Sequence, residues 1–447
     1  MPVPVIFHSH SRTRPCSARW KRLKKDKHIP CRSPEEEYLN ALNNSLNLNL
    51  TNTLHDSVRF RHRIIIASVD APARFGQFGG QFAPELQMDC LLNLPGIFHS
   101  IVSEDTFWDT FFACPLTRPS PLHLARNLTQ AVGGANIWLK REDLNPFGNY
   151  QTRNIIGQVL FAHRIGKKEI IMGCGFAGHG LVCATKCARM GMKCTIFMGV
   201  SDVTAQRDAV EKMKRLGATV VAAQNPSSCS ITNSNGALRA ATNEALRFAL
   251  TRLDSAYHIG SGTVGPHPLP TIARTFQSLL GQEIRGSFPR LTGKEGKRPD
   301  ALISHTGSSG SAALGMFAPF IDDQNVRRIA VEAADAAPLA HGSLGVMYGC
   351  KTLLLQDDNG QILPSPSNPP APDMNFPCAG PELAHWKDIG RLETVTATNE
   401  EGLRGLTLLR ETEGIVAGLA TGYAVLETVR VARELGAGKD VVLLVSG

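Results

Sequence analysis

Gly307-Ser-Ser-Gly-Ser-Ala312 follows a short apolar run at 301–304 and precedes a helical pattern. Glycine and serine permit a tight turn whose backbone N–H groups, backed by a helix start, can cradle an anion. A plain strand-to-helix turn is the alternative reading. Gln151 stands in Lys140-Arg-Glu-Asp-Leu-Asn-Pro-Phe-Gly-Asn-Tyr-Gln-Thr-Arg-Asn154. Its amide nitrogen lone pair is delocalised into the carbonyl, so it hydrogen-bonds but cannot form a Schiff base, as a lysine amine can. Cys183, Cys187 and Cys194 form the closest group among 11 scattered cysteines. Lying in a helix-to-strand pattern, they read as buried thiols of a reducing compartment, and no metal site is expected.

These residues must be positioned by alternating elements. Runs of β type at 137–139, 169–172, 193–198 and 219–223 interleave with helical patterns at 154–164, 181–190 and 205–216. Such alternation predicts parallel strands with right-handed crossovers. A break rich in Pro and Gly at 260–270 opens a second series: a helix over 271–280, strands at 301–304 and 328–332, and a buried strand at 441–445 before Gly447. Segment 364–372 is proline-rich and must be a surface connection. The expected fold is α/β, with parallel sheets flanked by helices in two lobes. One spans 71–268 and includes a mobile substrate-side subdomain; the other spans 269–447 and is truncated at its end. A ligand cleft is expected between them, at the carboxyl ends of the strands.

With 447 residues and 43% hydrophobic content, the chain can bury the cores of two or three folding units. Its net charge of +8 is unevenly placed, since Arg12, Arg14, Arg19, Lys21, Arg22, Lys24, Lys25, Lys27 and Arg32 all precede any convincing core. Residues 1–70 therefore read as a basic, poorly ordered extension, with an organellar transit peptide as one alternative. Nucleic-acid contact is another, but no folded module with interleaved aromatic residues accompanies the charge. No apolar run approaches the roughly 20 residues of a spanning helix, and no secretory signal is recognisable. A cytoplasmic location is expected, with mitochondrial or other organellar targeting left open and neither membrane nor nucleic acid as a partner.

Longer words carry a resemblance. They are Phe75-Gly-Gln-Phe-Gly-Gly-Gln-Phe-Ala-Pro-Glu85, Arg118-Pro-Ser-Pro-Leu-His-Leu-Ala125, Lys140-Arg-Glu-Asp-Leu-Asn145 and Gly265-Pro-His-Pro-Leu-Pro-Thr-Ile-Ala-Arg-Thr-Phe-Gln-Ser278. Gly315-Met-Phe317, Gly380-Pro-Glu382 and Val445-Ser-Gly447 continue the series. In these the chain resembles the β subunit of tryptophan synthase, a fold-type-II pyridoxal-phosphate enzyme. The resemblance implies the two-lobed fold, pyridoxal 5'-phosphate as cofactor and an amino acid or indole-like ligand. It also implies a homodimer, or a heterodimer with a β-type subunit.

In that family the Schiff-base lysine follows a histidine in a His-Lys-x-Asn-Asn word, matched here by Tyr150, Gln151, Thr152, Arg153 and Asn154. The family's Glu-Thr-Gly-Ala-Gly-Gln-His-Gly loop starts on an acid/base glutamate and grips the substrate carboxylate. Ungapped matching places Gly173 at that glutamate, followed by Cys174-Gly-Phe-Ala-Gly-His-Gly180. Substrate contacts are thereby implied at Gly175, Phe176, Ala177, Gly178, His179 and Gly180. His179 is a candidate acid/base, or else a helix-start residue packed on the cleft wall. Cofactor contacts are implied at Tyr150, at Ser446, and at Gly307, Ser308, Ser309, Gly310 and Ser311. That last run corresponds to the family's Gly-Gly-Gly-Ser-Asn loop with one extra residue. Ala420 stands for a cofactor-proximal glutamate and Asn375 for an aspartate of the mobile domain.

Without an amine at 151 the cofactor has no covalent anchor and the substrate α-proton no base. Without a carboxylate at 173 the departing hydroxyl and the incoming indole nitrogen lose their proton partner. Lys140 belongs to the scaffold, Lys167 and Lys168 to a polar connection, and Lys186 to a solvated helix face, so none is expected to take over. Arg153 could pair with a phosphate or carboxylate. Departures gather in the cleft while scaffold words survive, whereas random decay would damage both. The expected protein is a catalytically impaired tryptophan synthase β-like chain that retains ligand or partner binding, with no covalently attached cofactor. Altered chemistry of the same cofactor-dependent type, and regulation of an active β-type subunit, are the alternatives.

Overall fold

The computed structural model describes residues 72–224, 237–260, 262–363, 371 and 374–447, so the basic extension and most of the proline-rich segment lie outside the described residues. Its largest sheet has six strands in the order Glu393–Ala397, Arg327–Ala333, Ala301–His305, Asp440–Val445, Asn136–Arg141 and Leu122–Leu124. Five of them run parallel, and Leu122–Leu124 closes one edge antiparallel. Asp440–Val445 is apolar at nearly every position because both of its faces are covered. Ile137, Leu139, Val441, Leu443 and Val445 join the core that holds Tyr423 and Val425 of the Leu419–Leu435 helix. The intervening Trp138, Val442 and Leu444 pack instead with Ile284 and Phe288 of the Leu279–Thr292 helix. Period-two alternation thus serves two cores at once.

A second, wholly parallel sheet orders Thr219–Ala223, Lys193–Gly199, Glu169–Gly173 and Ala256–Ile259. Ile170 and Met172 share a core with the Thr152–Arg164 and Ala177–Arg189 helices, while Ile171 and Phe197 pack with Ala241 and Ala245 of the Ala237–Leu250 helix. The first three of these strands match the sequence expectation to within a residue at their ends, and Ala256–Ile259 was not anticipated. The expected helix at 205–216 is found at Arg207–Arg215, and a separate short helix, Val200–Ala205, precedes it across Gln206. The expected 271–280 helix is two, Leu269–Gln277 and Leu279–Thr292.

A four-stranded antiparallel sheet of Arg74–Phe75, Phe78–Gly79, Cys350–Leu354 and Ser343–Met347 was not anticipated. Its first two strands are two residues long, too short to carry a periodic signal. Lys186 corrects another expectation: it is 7% exposed, not on a solvated face. Among the described residues no helix is long and apolar enough to cross a membrane.

Candidate functional site

The Ala301–His305 and Asp440–Val445 strands end at Thr306–Ser311 and Ser446, and the Asn136–Arg141 strand leads through two short turns to Tyr150 and Gln151. The carboxyl ends of these three parallel strands therefore gather most of the residues singled out above, as expected for an open α/β sheet. Gln151 is fully buried just before the Thr152–Arg164 helix. Its N–H donates to Asn149 Oδ1 at 2.8 Å, and Asn149 Nδ2 donates to the Gly178 carbonyl at 3.3 Å, tying this turn to the Gly175–Gly180 loop.

The Gln151 side chain joins a line of amides. Its Nε2 donates to the Tyr150 hydroxyl at 3.5 Å, and its Oε1 accepts from Asn154 Nδ2 at 3.5 Å. Gln158 Nε2 donates onward to Asn154 Oδ1 at 2.7 Å, and the Tyr257 hydroxyl donates to Gln158 Oε1 at 3.2 Å. An amide both donates and accepts, as this line requires; an ammonium has no acceptor.

Tyr150 lies between two imidazoles, with ring centroids 5.8 Å from His179 and 5.4 Å from His305, both edge-on. Its hydroxyl stands against the glycine/serine turn: a Cβ on Gly307 would lie 2.4 Å from that oxygen. Gly307, Ser309 and Gly310 all have positive φ, of 60°, 53° and 89°. Ser308 opens the short turn Ser308–Gly310, which runs into the Ser311–Phe317 helix. Ser309 is engaged elsewhere, since its Oγ accepts the Thr263 N–H at 2.9 Å and its carbonyl accepts the Gly380 N–H at 2.8 Å. Ser311 Oγ is buried with no hydrogen-bond partner. Ser446 Oγ lies 2.9 Å from His305 Nε2, and its N–H donates to Thr421 Oγ1 at 2.8 Å. Sequence reading did not single out His305; its place on the last residue of the strand feeding the turn was the available signal.

The orphaned Ser311 hydroxyl and the turn fit an anion. They do not fit a phosphorylated pyridine ring held through an imine, because Gln151 has no amine and the phenol of Tyr150 is packed on Gly307. The cavity beside the turn, lined by Gly307, Ser309, Gly310, Glu332 and Phe376 among others, is about 10 Å³. That volume holds about one water molecule.

Burial lowers the pKa of His179 to about 3 and that of His305 to about 4, with no acidic neighbour to offset it. Both imidazoles are expected to stay neutral at pH 5.5, checked by their nitrogen chemical shifts; a midpoint near 6.5 would contradict this packing. A folded pKa below the unfolded one means that each histidine loses stabilising effect as pH falls from about 6.5 toward 4. Asp202 and Glu332 act with the opposite sign, since burial raises them to about 6 and about 7. The histidine shifts themselves, not total stability, are therefore the readout.

Gly173 ends the Glu169–Gly173 strand against the Ala237–Leu250 helix. A Cβ there would lie 2.8 Å from the Ala241 carbonyl oxygen and 3.0 Å from Thr242 Cα. A glutamate could enter only if the helix backbone moved. Gly173→Ala is expected to cost about 1–3 kcal/mol by overpacking, read as a lower urea midpoint; an unchanged midpoint would contradict this.

In the loop that follows, Gln206 Oε1 accepts the Ala177 N–H at 2.8 Å and its Nε2 donates to the Gly175 carbonyl at 2.8 Å. Phe176 meets the His179 ring edge-on at 5.4 Å, while Gly178 and Gly180 are hemmed in by Phe176 and Met213. Outside the loop, Phe147, Phe176, Ala177, Gly178, Gln206 and Arg207 line an open cavity of about 510 Å³.

Arg153 does not reach toward a ligand. Its Nη1 pairs with Glu142 at 2.6 Å and its Nη2 with Glu283 at 3.0 Å, while Lys140 pairs with Glu283 at 2.6 Å. Lys167 donates to the Leu253 carbonyl. Ala420 is buried at the start of the Leu419–Leu435 helix, and Asn375 is half-buried in a connection.

A sequence-family profile described as pyridoxal-phosphate dependent enzyme matches residues 114–447. Tryptophan synthase of Saccharomyces cerevisiae is 41% identical over 386 residues, which are 84% of this chain and 53% of that protein. The chain thus spans about half the length of this curated relative. The crystal structure of a fungal L-serine ammonia-lyase from Rhizomucor miehei aligns with a TM-score of 0.57 and 19% identity, over 74% of this chain and 94% of that one. A pyridoxal 5'-phosphate-dependent aspartate racemase aligns with a TM-score of 0.55 and 16% identity, over 76% and 94%. At such identities these two structures share the fold.

Proposed function

The chain belongs to the tryptophan synthase-like, pyridoxal-phosphate-dependent enzymes, and from that premise we propose that it is a catalytically impaired member that holds no covalently attached cofactor. The observation that carries this reading is Gln151, whose amide both donates and accepts within a fully buried line of side chains. Gly173 supports it, because a proton-transferring carboxylate at that place would overlap the Ala241 backbone. Retained binding of an amino acid or indole-like molecule, within a homodimer or beside a β-type subunit, completes the proposal. The open cavity outside the Gly175–Gly180 loop supports it with two aromatic side chains, Phe147 and Phe176, next to Arg207.

In a test, purified protein is mixed with pyridoxal phosphate, reduced with borohydride and digested for mass spectrometry. No pyridoxyl-lysine is expected, and no tryptophan from indole and serine. A stoichiometric modified lysine, or measurable tryptophan formation, would overturn the proposal.

A further inference from the structure

We propose that Cys183, Cys187 and Cys194 form a buried three-sulfur site for a soft monovalent metal ion, copper(I). Cys183 and Cys187 are four apart on the Ala177–Arg189 helix and so share one of its faces. That face meets Cys194 on the adjoining Lys193–Gly199 strand. The Cys183 and Cys194 sulfurs are 3.7 Å apart, and all three lie within 4.8 Å of one another. Three sulfurs around one ion at a metal–sulfur distance of about 2.3 Å stand about 4.0 Å apart, so an ion enters this triangle with little movement.

The missing fourth ligand selects the metal. Among the described residues no further cysteine, imidazole or carboxylate joins the group. Structural zinc asks for four protein ligands in a tetrahedron, whereas thiolates in a low-coordinate, water-poor setting favour copper(I). Each coordinating sulfur gives its proton to solvent, and no electron moves, because copper enters already as copper(I). The ion offsets one of the three thiolate charges, which lowers the cost of burying the cluster. Exposed residues of the adjacent turn, Ala188, Arg189, Gly191 and Lys193, put the site one layer below the surface, on an entry path.

The test is an anaerobic titration of the full chain with copper(I) against a colorimetric chelator, with Cys183→Ser/Cys187→Ser/Cys194→Ser as the comparison. One chelator-resistant copper(I) per chain is expected in the native sequence, with near-ultraviolet thiolate-to-copper absorption, and about 100-fold weaker binding or worse in the triple variant. Should the triple variant not unfold cooperatively, Cys187→Ala carries the same readout with one sulfur removed. Equal copper binding in Cys187→Ala, no binding by the native chain, or equally tight cysteine-dependent zinc binding would each overturn the assignment.

Discussion

The Gln151→Lys variant is expected to make no more tryptophan from indole and serine than the native chain, although it places an amine where the proposed reading puts the family's anchoring lysine. Two physical obstacles remain. The phenol of Tyr150 is packed on Gly307, and the new ammonium, with no acceptor, leaves Asn154 Nδ2 without the Gln151 oxygen it now donates to. Gly173 still supplies no carboxylate, and positioned proton transfer is worth about 10²–10⁴-fold in rate. Adding Tyr150→His separates the obstacles. The double variant is expected to yield a borohydride-fixed pyridoxyl-lysine at position 151 by mass spectrometry, and still no tryptophan. Tryptophan formation by the single variant would show that Tyr150 and Gly173 are not barriers.

Arg153→Met is expected to cost about 3–5 kcal/mol of stability, the range for removing one partner of a buried ion pair. Arg153 is 2% exposed between Glu142 and Glu283. Without it, Glu283 keeps Lys140, but Glu142, which has no accessible surface, keeps hydrogen bonds from the Ser120 hydroxyl and the Asn145 amide and only the shared charge of Lys140. A carboxylate stranded in that setting is the source of the loss. Arg153→Lys is expected to recover part of it, because an ammonium reaches one carboxylate where the guanidinium fork reaches two. Urea unfolding followed by circular dichroism measures both variants. A loss below about 1 kcal/mol for Arg153→Met would place this network among pairs of little net worth.

The Arg153 network also marks a limit of sequence reading. A cation beside Gln151 can serve a ligand's anion or the protein's own carboxylates, and Glu283 lies far along the chain. Lys186 makes the same point in reverse, since a lysine on a helix reads as solvated and packing buried it. Gln206 separates the Val200–Ala205 and Arg207–Arg215 helices, and its side chain is bonded across to the Gly175–Gly180 loop, a contact with no local signature.

What the residues determined by themselves is the alternation of strand and helix, the parallel sheets and an amide in place of any amine at position 151. Apolar periodicity and the chemistry of an amide are local properties, legible one residue at a time. The tertiary structure alone decided that Tyr150 is packed on Gly307, that His305 pairs with Ser446, that Gly173 has no room for a side chain, and that three cysteines converge. Each of these depends on the distance between segments far apart in the chain, and that distance exists only once the sheets and helices have packed.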